Sequence, residues 1–352
     1  MTHVFQRVAS TAAMCLVVGI GSGATAAAAP PAPVTNVAGA TVLAYTDGTQ
    51  LRFYYNLDGQ LIWNRQEVPG PGAYSQPAVA RDDTATVIAA QGPNHSLYFY
   101  WNLHGNPTWT SQKVAAEYTT YSAPAITRNS TSTVIAATDP NGHLYTYTNA
   151  HGSTTWTKDQ LPTIYAEGTP SIARDSTTTV IAVRGTANSL YFFWKRNDDT
   201  VWRQSLVASA GTIASDPSIV RDSSSSAIVA RDVNNGVRYY RNVHGNPNWP
   251  WTQVSPAQSV GSADDPQLAD DGTTSSIVAQ GSNGEIDFWW KPNGTGTWTR
   301  DVVEYPHFAG EPSLSRDTSA SRIAAPGTDG TTIRTYRSFH GQPWTSSVFT
   351  IR

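Results

Sequence analysis

Short runs of β-branched and small residues alternate along this chain with short aromatic runs. "TVIAA" occurs from Thr86 to Ala90 and again from Thr133 to Ala137, "TVIAV" from Thr179 to Val183, and "SIVA" from Ser276 to Ala279. Each follows a turn rich in Asp, Ser and Thr, and turns such as "PNGH" and "SNGE" come next, which is the punctuation of strands. The aromatic runs read "LRFYY", "LYFYW", "LYTYT", "LYFFW", "VRYYR", "IDFWW" and "IRTYR". Their fourth residue is aromatic in every version (Tyr54, Tyr100, Tyr147, Phe193, Tyr240, Trp289, Tyr336), and the flanking residues often are too. Both faces of this strand are therefore apolar, so its sheet is covered above and below.

The pattern repeats as a whole. "QPAVARDD", "APAITRNS", "TPSIARDS", "DPSIVRDS", "DPQLADDG" and "EPSLSRDT" are six versions of one phrase, with prolines at 77, 124, 170, 217, 266 and 312. Pro33 of "PVTNV" supplies a weaker first copy at a similar spacing. Units starting near 33, 77, 124, 170, 217, 266 and 312, each with four short strands, predict an all-β, seven-bladed β-propeller of four-stranded antiparallel blades. No segment after the N-terminal leader has a helical period.

"NLHGNPTW" (Asn102 to Trp109) and "NVHGNPNW" (Asn242 to Trp249) show the hairpin that follows each aromatic strand. It closes on Trp63, Trp109, Trp156, Trp202, Trp249, Trp298 and Trp344, one per unit. A ring in every unit is first a packing residue between sheets. The same flat face also suits the C–H face of a sugar, with neighbouring polar groups meeting its hydroxyls. The turn position holds Asp58, His104, His151, Asn197, His244, Asn293 and His340. That is turn composition, and histidines on separate blades do not converge on one metal ion. Arg81, Arg128, Arg174, Arg221 and Arg316 end the first strand of five units, Val37 and Asp270 replacing them in the other two. A guanidinium fork there either holds sugar hydroxyls or ties the turn to its neighbours. In the first case the first and sixth units are the silent ones.

Composition narrows the partners. The chain has 23 basic and 26 acidic residues, with no run of either sign, but 12 Trp and 16 Tyr. Nothing in it points to nucleic acid or an anionic membrane. Arg7, the apolar run from Thr11 to Gly21 and the small residues from Ala26 to Ala28 read as a signal peptide over residues 1–28, leaving 29–352 as one secreted, extracellular domain without membrane insertion. Cys15, the single cysteine, falls inside that leader. A reducing agent is therefore expected to leave the melting temperature of the mature domain unchanged. Units that differ in length by only a few residues offer no insertion for a catalytic constellation. The six glutamates, Glu67, Glu117, Glu167, Glu285, Glu304 and Glu311, form no paired-carboxylate motif. No enzyme activity, cofactor or metal is expected.

Units of this length with "xPxIxRD", an aromatic third strand and a closing Trp resemble the bacterial and fungal propeller lectins: the PLL-like seven-bladed group, tectonins and fucose-binding propellers. The resemblance covers 29–352. It implies glycan or glycoconjugate binding, without catalysis, at repeated shallow sites between blades. There an aromatic ring stacks on the sugar while Arg, Asn or Ser binds its hydroxyls. The hairpin also resembles the Asp-box turn of sialidases, a structural repeat in those enzymes. The alternatives are a secreted protein-binding or cell-wall-associated scaffold and, behind it, a glycosidase-like propeller enzyme.

Overall fold

The computed structural model describes residues 35–351 except 38–39, 47–49, 58–61, 105, 107, 163, 263, 305–309 and 341. The signal peptide, Cys15, Pro33 and Asp58 lie outside the described residues. Seven four-stranded antiparallel sheets follow one another, each built from consecutive strands: 35–68, 78–115, 125–160, 166–208, 218–255, 267–304 and 313–350. They are blades 1 to 7. Apart from two short 3-10 turns, Pro93–His95 and Thr186–Asn188, every element is a strand. No helix among the described residues is long and apolar enough to cross a membrane.

The first strand of each blade touches that of the next, and Thr35–Val37 of blade 1 touches Ser313–Arg316 of blade 7. The first strands therefore line the axis and the ring is closed. Among the described residues no strand is exchanged at the closure. Instead the Trp63 ring stacks on Phe349 at 4.9 Å, and Arg52 Nη1 and the Tyr54 hydroxyl donate to the Ile351 carbonyl at 3.1 and 3.2 Å.

The core is divided into seven apolar slabs, one between each pair of adjacent blades. Ala85–Gln91 shows why the second strand must be small and apolar throughout. All seven of its residues are buried; Ile88 and Ala90 pack into the slab shared with blade 1, and Val87 and Ala89 into that shared with blade 3. Successive side chains point to opposite faces, so such a strand has no solvent side. The third strand repeats a buried, half-buried pattern in which its first, third and fifth residues face the next blade: Leu51, Phe53 and Tyr55 meet Tyr98, Tyr100 and Trp109. Only the fourth strand alternates with solvent.

The hairpin has a mechanical explanation. Asn102 Nδ2 donates to the carbonyls of Asn106 and Thr108 at 2.7 and 2.8 Å. Asn242 does the same to Asn246 and Asn248, both at 2.7 Å, and Asn149 to Ser153 and Thr155 at 3.0 and 2.7 Å. One side-chain amide thus closes the loop from inside. Asn102→Ala removes two bonds and is expected to cost about 1–3 kcal/mol, measurable as a lowered urea midpoint. In blades 4 and 6 the same position holds Lys195 and Lys291.

Candidate functional site

The Arg and Trp columns lie in different places. Each Arg is the last residue of an innermost strand, and Arg128, Arg174, Arg221 and Arg316 reach back to the blade before. Arg128 Nε reaches Asp82 at 2.6 Å, Arg221 reaches Asp175 at 2.7 Å and Arg316 reaches Asp271 at 2.8 Å. These three guanidinium groups are only 8% exposed. The acceptor Asp also organises its own turn: Asp82 Oδ1 accepts the Thr84 and Ala85 amides at 2.8 and 2.9 Å, an Asx turn. Blade 3 carries Asn129 in place of that Asp, so Arg174 turns to Ser132 at 2.7 Å and to Asn197 at 3.0 Å. Arg81 Nη1 bonds Thr86 at 2.7 Å. The turn histidines pack beside this column, with His151 Nδ1 3.4 Å from Arg128 and His340 Nδ1 3.5 Å from Arg316. Burial, then the neighbouring Arg, holds His104, His151, His244 and His340 below the ordinary imidazole value. Among the described residues no three His, Cys, Asp or Glu side chains are placed to hold a metal.

Asp270 breaks the column, and a small void opens there. A cavity of about 30 Å³ between blades 5 and 6 is lined by Arg221, Asp222, Ser225, Tyr239, Arg241 and Asp270. That is room for a water or two and none for a sugar ring.

Each Trp stands one residue before an outermost strand, or two in the case of Trp249, and five of the seven pack edge-on against the third-strand aromatic of the preceding blade. The pairs are Trp109 on Phe53 at 5.0 Å, Trp156 on Phe99 at 5.0 Å, Trp249 on Phe192 at 4.7 Å, Trp298 on Tyr239 at 5.1 Å and Trp344 on Phe288 at 4.9 Å. Thr146 and Thr335 stand in place of that aromatic at the other two interfaces, so Trp202 sits under Lys195 at 5.2 Å and Trp63 finds Phe349. The column is thus interblade packing first.

What differs is the lid on each ring. Gln66 Oε1 accepts the Trp109 indole N–H at 2.9 Å, and Gln112 Oε1 accepts that of Trp156 at 3.1 Å. Trp202 is covered by Lys195, itself tied to Asp159 at 2.9 Å. Lys291, only 6% exposed, lies 4.8 Å from the Trp298 ring. Between blades 6 and 7 the position of Gln66 and Gln112 is held by Asp301, which pairs with Phe288 across the sheet. The Trp344 indole N–H has no protein partner among the described residues, as is also true of the buried N–H groups of Trp202 and Trp298, but here the ring borders open space. A shallow cleft of about 590 Å³ opens there, lined by Arg300, Asp301, Val302, Val303, Gln342, Pro343 and Trp344. That volume is typical of small-molecule sites. Arg300 turns away, its fork on Asp287 at 2.7 Å, so Asp301, Gln342 and the ring are the cleft's chemistry.

A second group went unnoticed in the sequence. The residue before the proline is acidic in the last three units alone, Asp216, Asp265 and Glu311, and these meet at the axis. Thr169 N donates to Asp216 Oδ2 at 2.7 Å, and Asp216 N to Asp265 Oδ1 at 2.9 Å, each acid taking the amide of the blade before. Burial, then the Asp216 carboxylate, pushes Asp265 up to about 7, while Arg231 and Arg184 act the other way. Burial, then Asp265, raises Glu311. The native state thus keeps a proton that the unfolded chain loses near pH 4, and stability from it falls as pH rises through 7. Asp265→Asn is expected to melt with the wild type at pH 4 and above it at pH 8, by at most about 4 kcal/mol. Equal shifts at both pH values would refute the shared proton.

Similar solved structures share this ring. The BP39L lectin from Burkholderia pseudomallei superposes with a TM-score of 0.77 at 14% identity, covering 89% of this chain and 96% of that one. A mutant Aleuria aurantia lectin in complex with Fucα1-6GlcNAc gives 0.52 at 11%, covering 75% and 91%. The propeller domain of the Trilobed protease from Pyrococcus furiosus gives 0.58 at 9%, covering 91% and 97%. At such identities the likeness is one of fold, and it spans binding proteins and proteases alike. No curated protein matches the sequence. A family model described as outer membrane protein assembly factor BamB matches residues 21–242, more than half of the chain and into the third strand of blade 5. Because the blades inside that match continue unchanged in form through blades 6 and 7, the whole ring is one repeat architecture, and the chain belongs to the family described as outer membrane protein assembly factor BamB.

Proposed function

We propose that this protein is an exported, lectin-like propeller that binds carbohydrate without altering it, in the cleft between blades 6 and 7. The observation that carries this is the uncapped Trp344 ring in a shallow groove with Asp301 and Gln342. An aromatic face meets the apolar side of a pyranose, and a carboxylate and an amide meet its hydroxyls. The lectins of similar fold, one of them in complex with a fucosylated sugar, support the class. Among the described residues Asp301 is the one carboxylate lining the cleft, whereas glycoside hydrolysis takes two flanking the bond. The leader at residues 1–28 fits export to where glycans are met.

Of the twelve columned residues, Trp344 is the ring the ligand uses. Trp109, Trp156, Trp202 and Trp298 are covered by their own neighbours, and the Arg column holds the blades together. A glycan array on the purified protein, followed by titration of the best ligand, tests this. Trp344→Ala is expected to abolish binding with a smaller loss of stability than a buried Trp would show. Undiminished binding would sink the assignment. The family description favours a second reading, a scaffold for another protein; such a scaffold would show one strong site that free sugar does not compete for.

A further inference from the structure

The capped interfaces show what the open one is shaped to receive. Between blades 2 and 3 the Gln112 side chain is a primary amide held at both ends. Its Oε1 accepts the Trp156 indole N–H at 3.1 Å, and its Nε2 donates to the carbonyl of Thr154 in the closing hairpin. Between blades 1 and 2 the Gln66 carbonyl accepts the Trp109 N–H in the same way at 2.9 Å. The chain therefore fills two of its own Trp grooves with an amide. At the other interfaces Asp159, Ser205, Thr252, Asp301 and Ser347 stand in the glutamine's place, and of these the one between blades 6 and 7 carries the open cleft. Asp301 replaces the glutamine with a carboxylate one methylene shorter, which does not reach the Trp344 N–H and has no donor for the hairpin carbonyl. The hairpin segment that presents Thr154 in blade 3 is represented in the cleft wall by Gln342 and Pro343; the Gln342 carbonyl accepts the Ser338 hydroxyl at 2.8 Å, and a carbonyl has a second lone pair to offer. An indole donor, a hairpin acceptor and an apolar ring face remain around an open volume.

We propose that this cleft selects sugars bearing an acetamido group. The amide carbonyl takes the Trp344 N–H, the amide N–H meets the blade 7 hairpin, and the acetyl methyl lies against the ring, as Gln112 lies against Trp156. The inference rests on the carbohydrate reading of the same cleft and adds its ligand class. A buried donor left unpaired by a ligand that lacks the matching acceptor is what makes such a site discriminate. Asp301, exposed at the rim, suits sugar hydroxyls, which favours an acetamido sugar over a peptide amide.

The test is calorimetric titration of the full chain with the methyl glycosides of N-acetylglucosamine, glucosamine and glucose, and with N-acetylglycine methylamide. N-acetylglucosamine is expected to bind at least tenfold tighter than the other two sugars, and the peptide amide not measurably. Trp344→Phe keeps a ring and removes the donor, so it is expected to reduce that preference to less than threefold. Asp301→Gln restores the internal amide and is expected to close the cleft, with the melting temperature unchanged or raised. Equal affinity for glucose and N-acetylglucosamine, both lost in Trp344→Ala, would overturn the acetamido selection and leave the carbohydrate reading standing. Binding of the peptide amide, or no sugar binding dependent on Trp344, would overturn both.

Discussion

Trp109→Ala is expected to lower the folding stability by about 3–5 kcal/mol and to leave the number of bound sugars per chain unchanged. The ring is 6% exposed, lies edge-on to Phe53 and sits in the slab with Val79, Ile88 and Tyr100. Removing it opens a cavity between two blades that are themselves stiff sheets, so little collapse can offset the loss. It also strands the Gln66 carbonyl that accepts its N–H. Chemical denaturation measures the first effect and sugar stoichiometry the second. The contrast with Trp344→Ala, where stoichiometry falls and stability changes less, separates packing from binding within one residue column. If Trp109→Ala lost a sugar site at nearly unchanged stability, the capped interfaces would be working sites and the role given to Gln66 would be wrong.

Asp271→Ala is expected to cost a comparable amount, about 3–5 kcal/mol, because it leaves a buried guanidinium without its counter-charge. Asp271 is 1% and Arg316 8% exposed, with 2.8 Å between them. Alanine also removes the turn bonds that Asp271 Oδ1 accepts from Thr273 and Thr274, both at 2.8 Å. The two losses can be told apart. Blade 3 already carries Asn129 at the equivalent place, accepting Thr131 N and Ser132 N at 3.0 Å. Asp271→Asn should therefore keep the turn, lose the ion pair and fall between wild type and alanine. Removing Arg316 as well, by Arg316→Met, should recover part of the loss, as a double-mutant cycle would show. An Asp271→Ala variant within about 0.5 kcal/mol of wild type would mean that the clasp does not hold the blades.

The blades themselves were legible. A strand signal is local, and seven copies of it reinforce one another: the second strands read as apolar on both faces, the aromatic strands likewise, and Pro77, Pro124, Pro217, Pro266 and Pro312 each stand just before an innermost strand. The turn assignment for His104, His151, His244 and His340 was legible for the same reason, since turn chemistry is decided within a few residues. The Trp column reads in the sequence as both packing and platform, and no local pattern separates the two. The residue that decides between them, Gln66, Gln112 or Asp301, lies on the preceding blade, more than 40 positions earlier in the chain. The Arg column reads in the sequence as both ligand and tie, and the Asp partners of Arg128, Arg221 and Arg316 are likewise one blade away.

The sequence by itself determined the repeat, the strand order and the residues that recur, because backbone propensity, alternation and turn chemistry act over a handful of positions. The tertiary structure alone decided which recurring residues are spent on their neighbours and which are left free. Arg128 meets Asp82, and Asp216 meets Asp265, only because ring closure brings equivalent positions of successive blades side by side. Trp344 borders an open cleft only because Asp301, shorter than the glutamines of the first two blades, stands opposite it on the preceding blade. Contacts between blades depend on pairs of residues nearly 50 positions apart, each ordinary in its own unit, and their meaning appears only when the units are stacked.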